Sequence, residues 1–263
     1  MELPSVSVIT PCLNARATIE QTLESVSAQG YPQIEHVLVD GGSTDGTLEV
    51  LERAEGIRFV SEPDRGRPDA VNKGVAISSG EVIGFLNADD YYEPGAVDAV
   101  GEALARRPGA VWATGYCHIV DGAGAEMRRP VTAWKNLLLR RYSYGLYLTQ
   151  NFVSDPATFV RRSALERVGP LDVSLKISHD YDLWLRVARL GDPVVLPRYL
   201  SNFRMVEGTL SMAGFERQFD EHRECARRHG DGHPLAVAAN VAMSRLIVAV
   251  YGGLRRARRL RPA

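Results

Sequence analysis

Short apolar runs alternate along the first ninety residues with segments whose apolar side chains recur every three or four positions. Val6-Ser7-Val8-Ile9-Thr10 reads as a first strand, closed by Pro11, with Asn14 opening a turn. From Ala17 to Gln29, Ile19, Leu23 and Val26 fall at helical spacing. Thr18, followed by Glu20 and Gln21, starts that helix, and Gly30 and Pro32 stop it. Ile34 to Val39 is a second strand with Asp40 at its carboxyl end. Gly41-Gly42-Ser43-Thr44-Asp45-Gly46-Thr47 follows, where Ser43 or Thr44 caps a helix from Thr47 to Arg53. Ile57 to Val60 is a third strand, Ser61 to Asp69 a polar loop, and Ala70 to Ser78 a helix closed by Gly80. Val82-Ile83-Gly84-Phe85-Leu86 is a fourth strand that runs straight into Asn87-Ala88-Asp89-Asp90. This alternation predicts βαβ units, a largely parallel sheet and right-handed crossovers.

The second half is less regular. Pro94 to Arg107 has Val97, Val100 and Leu104 on one helical face. Ala110 to Val120 holds a strand, and Asp121-Gly122-Ala123-Gly124 a hairpin tip. Trp134 to Tyr147 is aromatic and basic, and serves either as an ordinary core helix with its loop or as a wall of a binding site. Ala157 to Val160 is a short strand and Arg162 to Val168 a short helix. The pattern from Tyr181 to Leu190 is helical, so Asp180 stands at or near a helix N-terminus, where a negative charge is favoured. Val194 to Leu196 is a late strand, Ser201 to Met212 a loop, and Phe215 to Arg228 a charged helix.

The candidate chemistry follows from position. Asn14, Asp40, Asp64 and Asp89 each come directly after a strand, which lines them along one sheet edge, where open α/β sheets bind ligands. Asp89 and Asp90 concentrate negative charge that a proton or a cation must offset. A hard divalent ion held by one or two carboxylates and completed by substrate phosphates fits there; a solvated turn is the plainer alternative.

Composition narrows the class. The 263 residues, 45% apolar and 24% charged, suit one large α/β domain or one domain with a small appendage. A net charge of -1 argues against a nucleic-acid binder. Five arginines between 255 and 261 hide a remainder of -6. Three scattered cysteines (Cys12, Cys117, Cys225) imply a reducing compartment, and hence a cytoplasmic protein, with neither a disulfide framework nor a zinc site. No signal peptide and no membrane-spanning run are expected.

Taken in order, several motifs resemble those of family 2 glycosyltransferases: Val6-Ser7-Val8-Ile9-Thr10-Pro11 with Asn14, Val39 to Thr47, Asp69-Ala70-Val71-Asn72-Lys73-Gly74 followed by Gly80, Phe85 to Asp90, and Asp180-Tyr181-Asp182-Leu183-Trp184. The resemblance covers roughly residues 5 to 215. It implies the GT-A fold, an α/β/α nucleotide-binding sandwich with a mostly parallel central sheet and C-terminal helices. Residues 1–215 would form the transferase domain, 1–120 binding the donor and 121–215 the acceptor, and 216–263 a helical basic tail. The implied reaction is transfer of a sugar, with inversion, from a nucleotide diphosphate donor to a hydroxyl acceptor in polysaccharide, glycolipid or lipid-linked glycan synthesis. Asp180 matches the family's base, with Asp182 the runner-up. Asp89, with Asp90 beside it, matches the metal position for Mg²⁺ or Mn²⁺. Pro11, Asn14, Asp40, Asp64, Asp69, Asn87, Asp89 and Arg204 are the donor-binding candidates. Such chemistry needs base and leaving-group stabiliser on opposite sides of the sugar, and a positioned carboxylate base is worth about 10²–10⁴-fold.

Two positions depart from the family pattern. Gly41 stands where relatives often carry a second acid, and Val206 where they often carry a histidine. A non-catalytic nucleotide-sugar-binding module, and less so a nucleotidyltransferase, are the alternatives. The tail from Leu235 to Leu254 places Asn240, Ser244, Tyr251 and Arg255 on a narrow polar stripe ahead of the basic cluster. It fits either a membrane surface on the inner face, contacted peripherally, or packing on the domain or on a homodimer partner.

Overall fold

The computed structural model describes residues 2–205 and 215–259. An eight-stranded sheet runs through it in the order β3-β2-β1-β4-β7-β6-β8-β5. The strands are β1 (Val6–Cys12), β2 (Ile34–Asp40), β3 (Ile57–Ser61), β4 (Val82–Phe85), β5 (Tyr91–Tyr92), β6 (Trp112–Val120), β7 (Thr158–Arg161) and β8 (Val194–Arg204). The helices are α1 (Ile19–Ser27), α2 (Thr47–Leu51), α3 (Arg67–Ile77), α4 (Ala96–Arg106), α5 (Arg129–Arg140), α6 (Tyr144–Thr149), α7 (Arg162–Val168), α8 (His179–Ala188), α9 (Phe215–Arg228) and α10 (Pro234–Arg259), with a 3-10 turn at Asp155–Ala157. The alternating first half forms the expected parallel block, β3-β2-β1-β4. Beyond it the directions mix. β7 is antiparallel to both β4 and β6, β8 is parallel to β6, and β5 is antiparallel to β8.

Several boundaries differ from the sequence reading, each for a local reason. Pro11 does not end β1, which continues to Cys12. β4 pairs only as far as Ile9, so Pro11 has one strand neighbour and needs no second ladder donor. Neither Ser43 nor Thr44 caps α2; its first residue is preceded by Gly46 at φ 95°. Asp45 does the work instead, its Oδ1 accepting from Thr47 N at 3.0 Å. α3 begins three residues earlier than expected, at Arg67, with Pro68 in its first turn, a position where the missing N–H costs nothing. Ser201 to Arg204 is strand rather than loop, paired with β6 on one side. Ser201, Asn202 and Arg204 are buried in spite of their polarity, and Asn202 Nδ2 donates to Glu93 Oε1 at 2.7 Å. The rest of that expected loop, from residue 206, lies outside the described residues. The hairpin tip is present, with Asp121 N donating to Ala125 O at 3.0 Å.

Two large buried clusters sandwich the sheet. One gathers Ile9, Phe85, Trp112, Tyr147, Phe152, Tyr181 and Trp184; the other Val8, Leu86, Tyr92, Val97, Val100, Phe159 and Leu200. The motif glycines make the close approaches that tighten this packing. A Cβ on Gly74 would lie 2.4 Å from Ile9 Cγ2, and one on Gly80 2.5 Å from Ser7 N. Asn72 clamps α3 to the chain beyond α7, donating to Leu171 O at 3.0 Å and accepting from Leu171 N at 2.9 Å.

α10 packs on α6 and α9. Its polar stripe faces inward: Asn240 and Ser244 are buried, and Asn240 Nδ2 donates to Leu148 O at 3.0 Å. Leu235, Met243 and Leu246 face outward at 86%, 40% and 61% exposure. The side chains of Tyr251 and Arg255 lie outside the described residues. No described helix is long and apolar enough to cross a membrane.

Candidate active site

The carboxyl ends of β1 and β2 are laced into one rim. Asn14, at φ 51°, accepts from Thr44 N at 2.9 Å while its own N–H donates to Ser43 Oγ at 2.8 Å. Ala15 N donates to Thr47 Oγ1 and Arg16 N to Asp45 Oδ2, at 2.9 and 3.0 Å. Pro11 is buried in β1 beneath this rim. Asp40 is fully buried and turned into its own loop. Its Oδ2 accepts from Gly42 N, Ser43 N and Ser61 Oγ at 3.0, 3.0 and 2.7 Å, and Ser43 Oγ donates to Oδ1. Burial raises its pKa, but these bonds outweigh burial and hold it below the usual carboxylate range. Asp40 thus shapes the rim, and its oxygens face the protein.

Asp64 sits over Gly41 instead. A Cβ on Gly41 would lie 2.7 Å from Asp64 Oδ2, so the glycine leaves the room that this carboxylate occupies. Asp64 Oδ1 accepts from Gly66 N at 2.6 Å. Asp69, nearly buried, accepts from Arg65 N at 3.1 Å and from Arg65 Nη2 at 2.9 Å. The Arg65 bond is the main reason that its pKa is lowered.

The Asp-Asp pair after β4 is divided by its surroundings. Asp90 is fully buried; its Oδ1 accepts from Arg204 N at 2.9 Å and its Oδ2 from Asn87 Nδ2 at 2.8 Å. Burial, then the charge of Asp89, pushes its pKa well up. Asp89 is half-buried, and burial raises its pKa too. Arg204 is nearly buried and braces the turn. Nε donates to Asp89 O at 2.9 Å, Nη1 to Gly122 O at 3.0 Å, and Nη2 to Gln21 Oε1. Three of its five N–H donors are engaged by protein oxygens, so in this arrangement it shapes the acidic turn. Asn87 is likewise engaged, its Oδ1 accepting from Arg67 Nε at 2.5 Å.

Asp180 lies in the first turn of α8, one residue past His179, and the N-cap position belongs to Ser178. Burial and the carboxylate of Asp155 raise its pKa to about 6, against the charge of Arg67. Asn151 Nδ2 donates to its Oδ2 at 3.4 Å. Asp182 points elsewhere, as helical geometry requires. Its oxygens accept from Arg186 Nε at 2.9 Å and pair with His229 Nε2 at 2.8 Å, tying α8 to the residue that follows α9. Burial raises the pKa of Asp182, but the His229 and Arg186 contacts win and leave it lowered.

One guanidinium sits among these groups. The charge of Arg67 acts on Asp89, Asp90 and Asp180. Its Nη1 bonds to His179 Nε2 at 2.7 Å and its Nη2 to Asp155. Asp155 is held from its other side by Trp184 Nε1 at 3.0 Å. Arg67, Asp155, His179 and Asn151 escaped the sequence reading. They are far apart in the chain and belong to no spacing rule; only a polar loop rich in charge near Arg67 hinted at chemistry.

Among the described residues, no three His, Cys, Asp or Glu side chains converge as a metal cage. Asp89 fits a hard divalent cation held by one carboxylate and completed by phosphates. Asp90 fits less well, because both its oxygens are taken.

Comparison with known proteins agrees with this architecture. The sequence profile described as Glycosyl transferase family 2 matches residues 7–169. An uncharacterized glycosyltransferase of Mycobacterium tuberculosis is 34% identical over 207 residues, 76% of this chain and 75% of that protein. A putative teichuronic acid biosynthesis glycosyltransferase of Bacillus subtilis, TuaG, is 27% identical over 236 residues, 86% of this chain and 90% of its own. Residues 1–349 of S. aureus TarS, solved with UDP, superpose with a TM-score of 0.65 at 18% identity, covering 90% of this chain and 68% of that one. The mannosyltransferase PcManGT from Pyrobaculum calidifontis, solved with GDP-Man and Mn²⁺, gives 0.68 at 22% identity, covering 95% and 76%.

Proposed function

This chain belongs to glycosyl transferase family 2, and we propose that it transfers one sugar, with inversion, from a nucleoside diphosphate donor to a hydroxyl of a cell-envelope glycan or its lipid-linked precursor. The observation that carries this reading is the placement of Asp180. Its carboxyl, raised to about 6, feels the charge of the same guanidinium, Arg67, that acts on Asp89, although the two acids lie in separate motifs far apart in the chain. Asp180 Oδ takes the proton of the acceptor hydroxyl as that oxygen attacks the anomeric carbon and the bond to the diphosphate breaks. A value near 6 keeps most of the group ionised at neutral pH while leaving it basic enough to accept a proton.

The donor half is read as residues 1–120 and the acceptor half as 121–215. Asn14 and Asp64 form the nucleotide rim, with Pro11 beneath it and Asp64 standing over Gly41 in place of a second acid. Asp40, Asp69, Asn87 and Arg204 act behind that surface by holding the loops. Asp89 would hold a divalent cation; when bound, such an ion stabilises charge on the departing diphosphate. The Mn²⁺ in PcManGT and the nucleotides in both neighbours support a nucleotide-sugar donor. The envelope role printed for TuaG supports the acceptor class. The outward apolar face of α10 and the five arginines between 255 and 261 fit an anionic bilayer surface, where a lipid-linked acceptor resides.

The test is nucleoside diphosphate release from UDP-, GDP- and dTDP-sugars with Mn²⁺ or Mg²⁺ and a cell-envelope extract, in wild type and Asp180→Asn. Release from one donor, abolished by chelator and lowered at least a hundredfold in Asp180→Asn, is expected. Release that Asp180→Asn leaves intact removes Asp180 from the reaction. Donor binding with no turnover on any acceptor returns the binding-module alternative.

A further inference from the structure

Arg67 opens α3, and its three guanidinium nitrogens engage three different elements: Asn87 after β4, Asp155 in the 3-10 turn, and His179 at the start of α8. The ion pair with Asp155 is well enclosed, with side-chain exposures of 20% and 10%. Enclosing such a pair is weak evidence for stability, because apolar side chains of similar volume do as well or better. Its position suggests another reason. His179 is the residue immediately before Asp180, and burial, with Arg67 beside it, keeps the imidazole neutral, so that Nε2 accepts the Arg67 proton.

Among the described residues, the charges that act on Asp180 come from identifiable groups. Asp155 faces it with a negative charge and Arg67 with a positive one. Lys135 from α5, whose Nζ donates to Ser154 Oγ at 2.9 Å, Tyr147 from α6 and Cys225 from α9 also feel the charge of Asp180. On its own helix, His179 is neutral and Asp182 is tied to Arg186 and His229. Without Arg67, the Asp155 carboxylate would stand uncompensated next to Asp180.

We propose that Arg67 is a positioning residue of the transfer: by its bonds to Asn87, Asp155 and His179 it locks the base-bearing helix α8 to the donor half and sets a positive charge beside the acidic groups there. This rests on Asp180 being the base, and it adds a residue that couples the two halves. The guanidinium fork matters as well as its charge, because it must reach an amide, an imidazole and a carboxylate at once.

The experiment is a ¹³C-carboxyl titration of Asp180 in the full chain, in wild type, Arg67→Gln, Arg67→Lys and Asp155→Asn, with the pH profile of donor release beside it. Arg67→Gln should raise the Asp180 midpoint by about one pH unit and shift the acid limb of kcat/KM equally, a tenfold change in the proton equilibrium. Asp155→Asn should lower the midpoint. Arg67→Lys should keep the midpoint and lose rate. An unchanged midpoint in a folded Arg67→Gln overturns the proposal. If that variant does not fold, an Asp155→Asn midpoint that stays put overturns it instead. The titration reads Asp180 whether or not any donor turns over, so failure of the transferase reading would show separately.

Discussion

Asp180 is sunk beside Asp155, and the amide that reaches it, Asn151, does so at 3.4 Å. Its pKa in the folded chain lies above the unfolded value, so the folded state holds the proton more tightly. Ionisation therefore costs stability. The cost is absent below about pH 4, develops as pH rises towards 6, and is complete above that. Asp180→Asn should stabilise the protein above pH 6, by an amount on the order of 1–3 kcal/mol, and give little gain at pH 4. Thermal unfolding of both proteins across that range measures this; equal stabilisation at pH 4 and pH 8 would contradict it. The same titration predicts that transfer falls as pH drops through about 6. Asp40 behaves in the opposite way. Its lowered pKa means that the stability it contributes is present above its unfolded value and is lost as pH falls through the folded one.

α3 shows how a helix can carry a motif for packing as much as for chemistry. Asp69 binds Arg65, Asn72 binds the Leu171 backbone, and Gly74 lets the helix lie against β1. Gly74→Ala would put a Cβ 2.4 Å from Ile9 Cγ2, inside a fully buried cluster with no flexible end to move aside. Destabilisation of about 1–3 kcal/mol is expected from overpacking. Urea unfolding of Gly74→Ala, and of the same change with Ile9→Ala, checks this. The second substitution removes the clashing methyl, so the two effects should be less than additive. The Asp69-Ala70-Val71-Asn72-Lys73-Gly74 stretch was legible as a motif, but the packing roles of its residues were not, because partners such as Leu171 and Ile9 lie on other elements.

Across the whole molecule, the proposed donor rim and the proposed base, Asp180, belong to the sheet and the elements packed on it, while α10 presents a separate surface. Its exposed positions from Leu235 to Ala249 are mostly Leu, Ala and Met, with Arg245 the charged one among them. Flotation with vesicles containing anionic lipid should carry the wild-type chain, and neutral vesicles should carry far less. Met243→Glu with Leu246→Glu should reduce the bound fraction at least tenfold, and so should deletion of residues 255–263, since each basic residue near such a surface contributes about 1 kcal/mol. Binding that survives both changes, or a dimer that the face variant dissociates in the absence of lipid, would remove the membrane assignment.

By itself the sequence determined the βαβ half, the sheet edge where its polar residues gather, and the family, because strand and helix periodicities and the motif order are local properties of the chain. It also separated Asp180 from Asp182, since two residues along a helix point in different directions. Only the tertiary structure decided which carboxylates are open and which are turned inward. Asp40 and Asp90 read like Asp64 and Asp89 in one dimension, yet both oxygens of each are engaged by groups up to 114 residues away. The same holds for the direction of the α10 stripe and for Arg67, whose partners Asp155 and His179 are 88 and 112 residues distant. Hydrogen bonds and charges act through space, and the fold alone sets which groups lie within their reach.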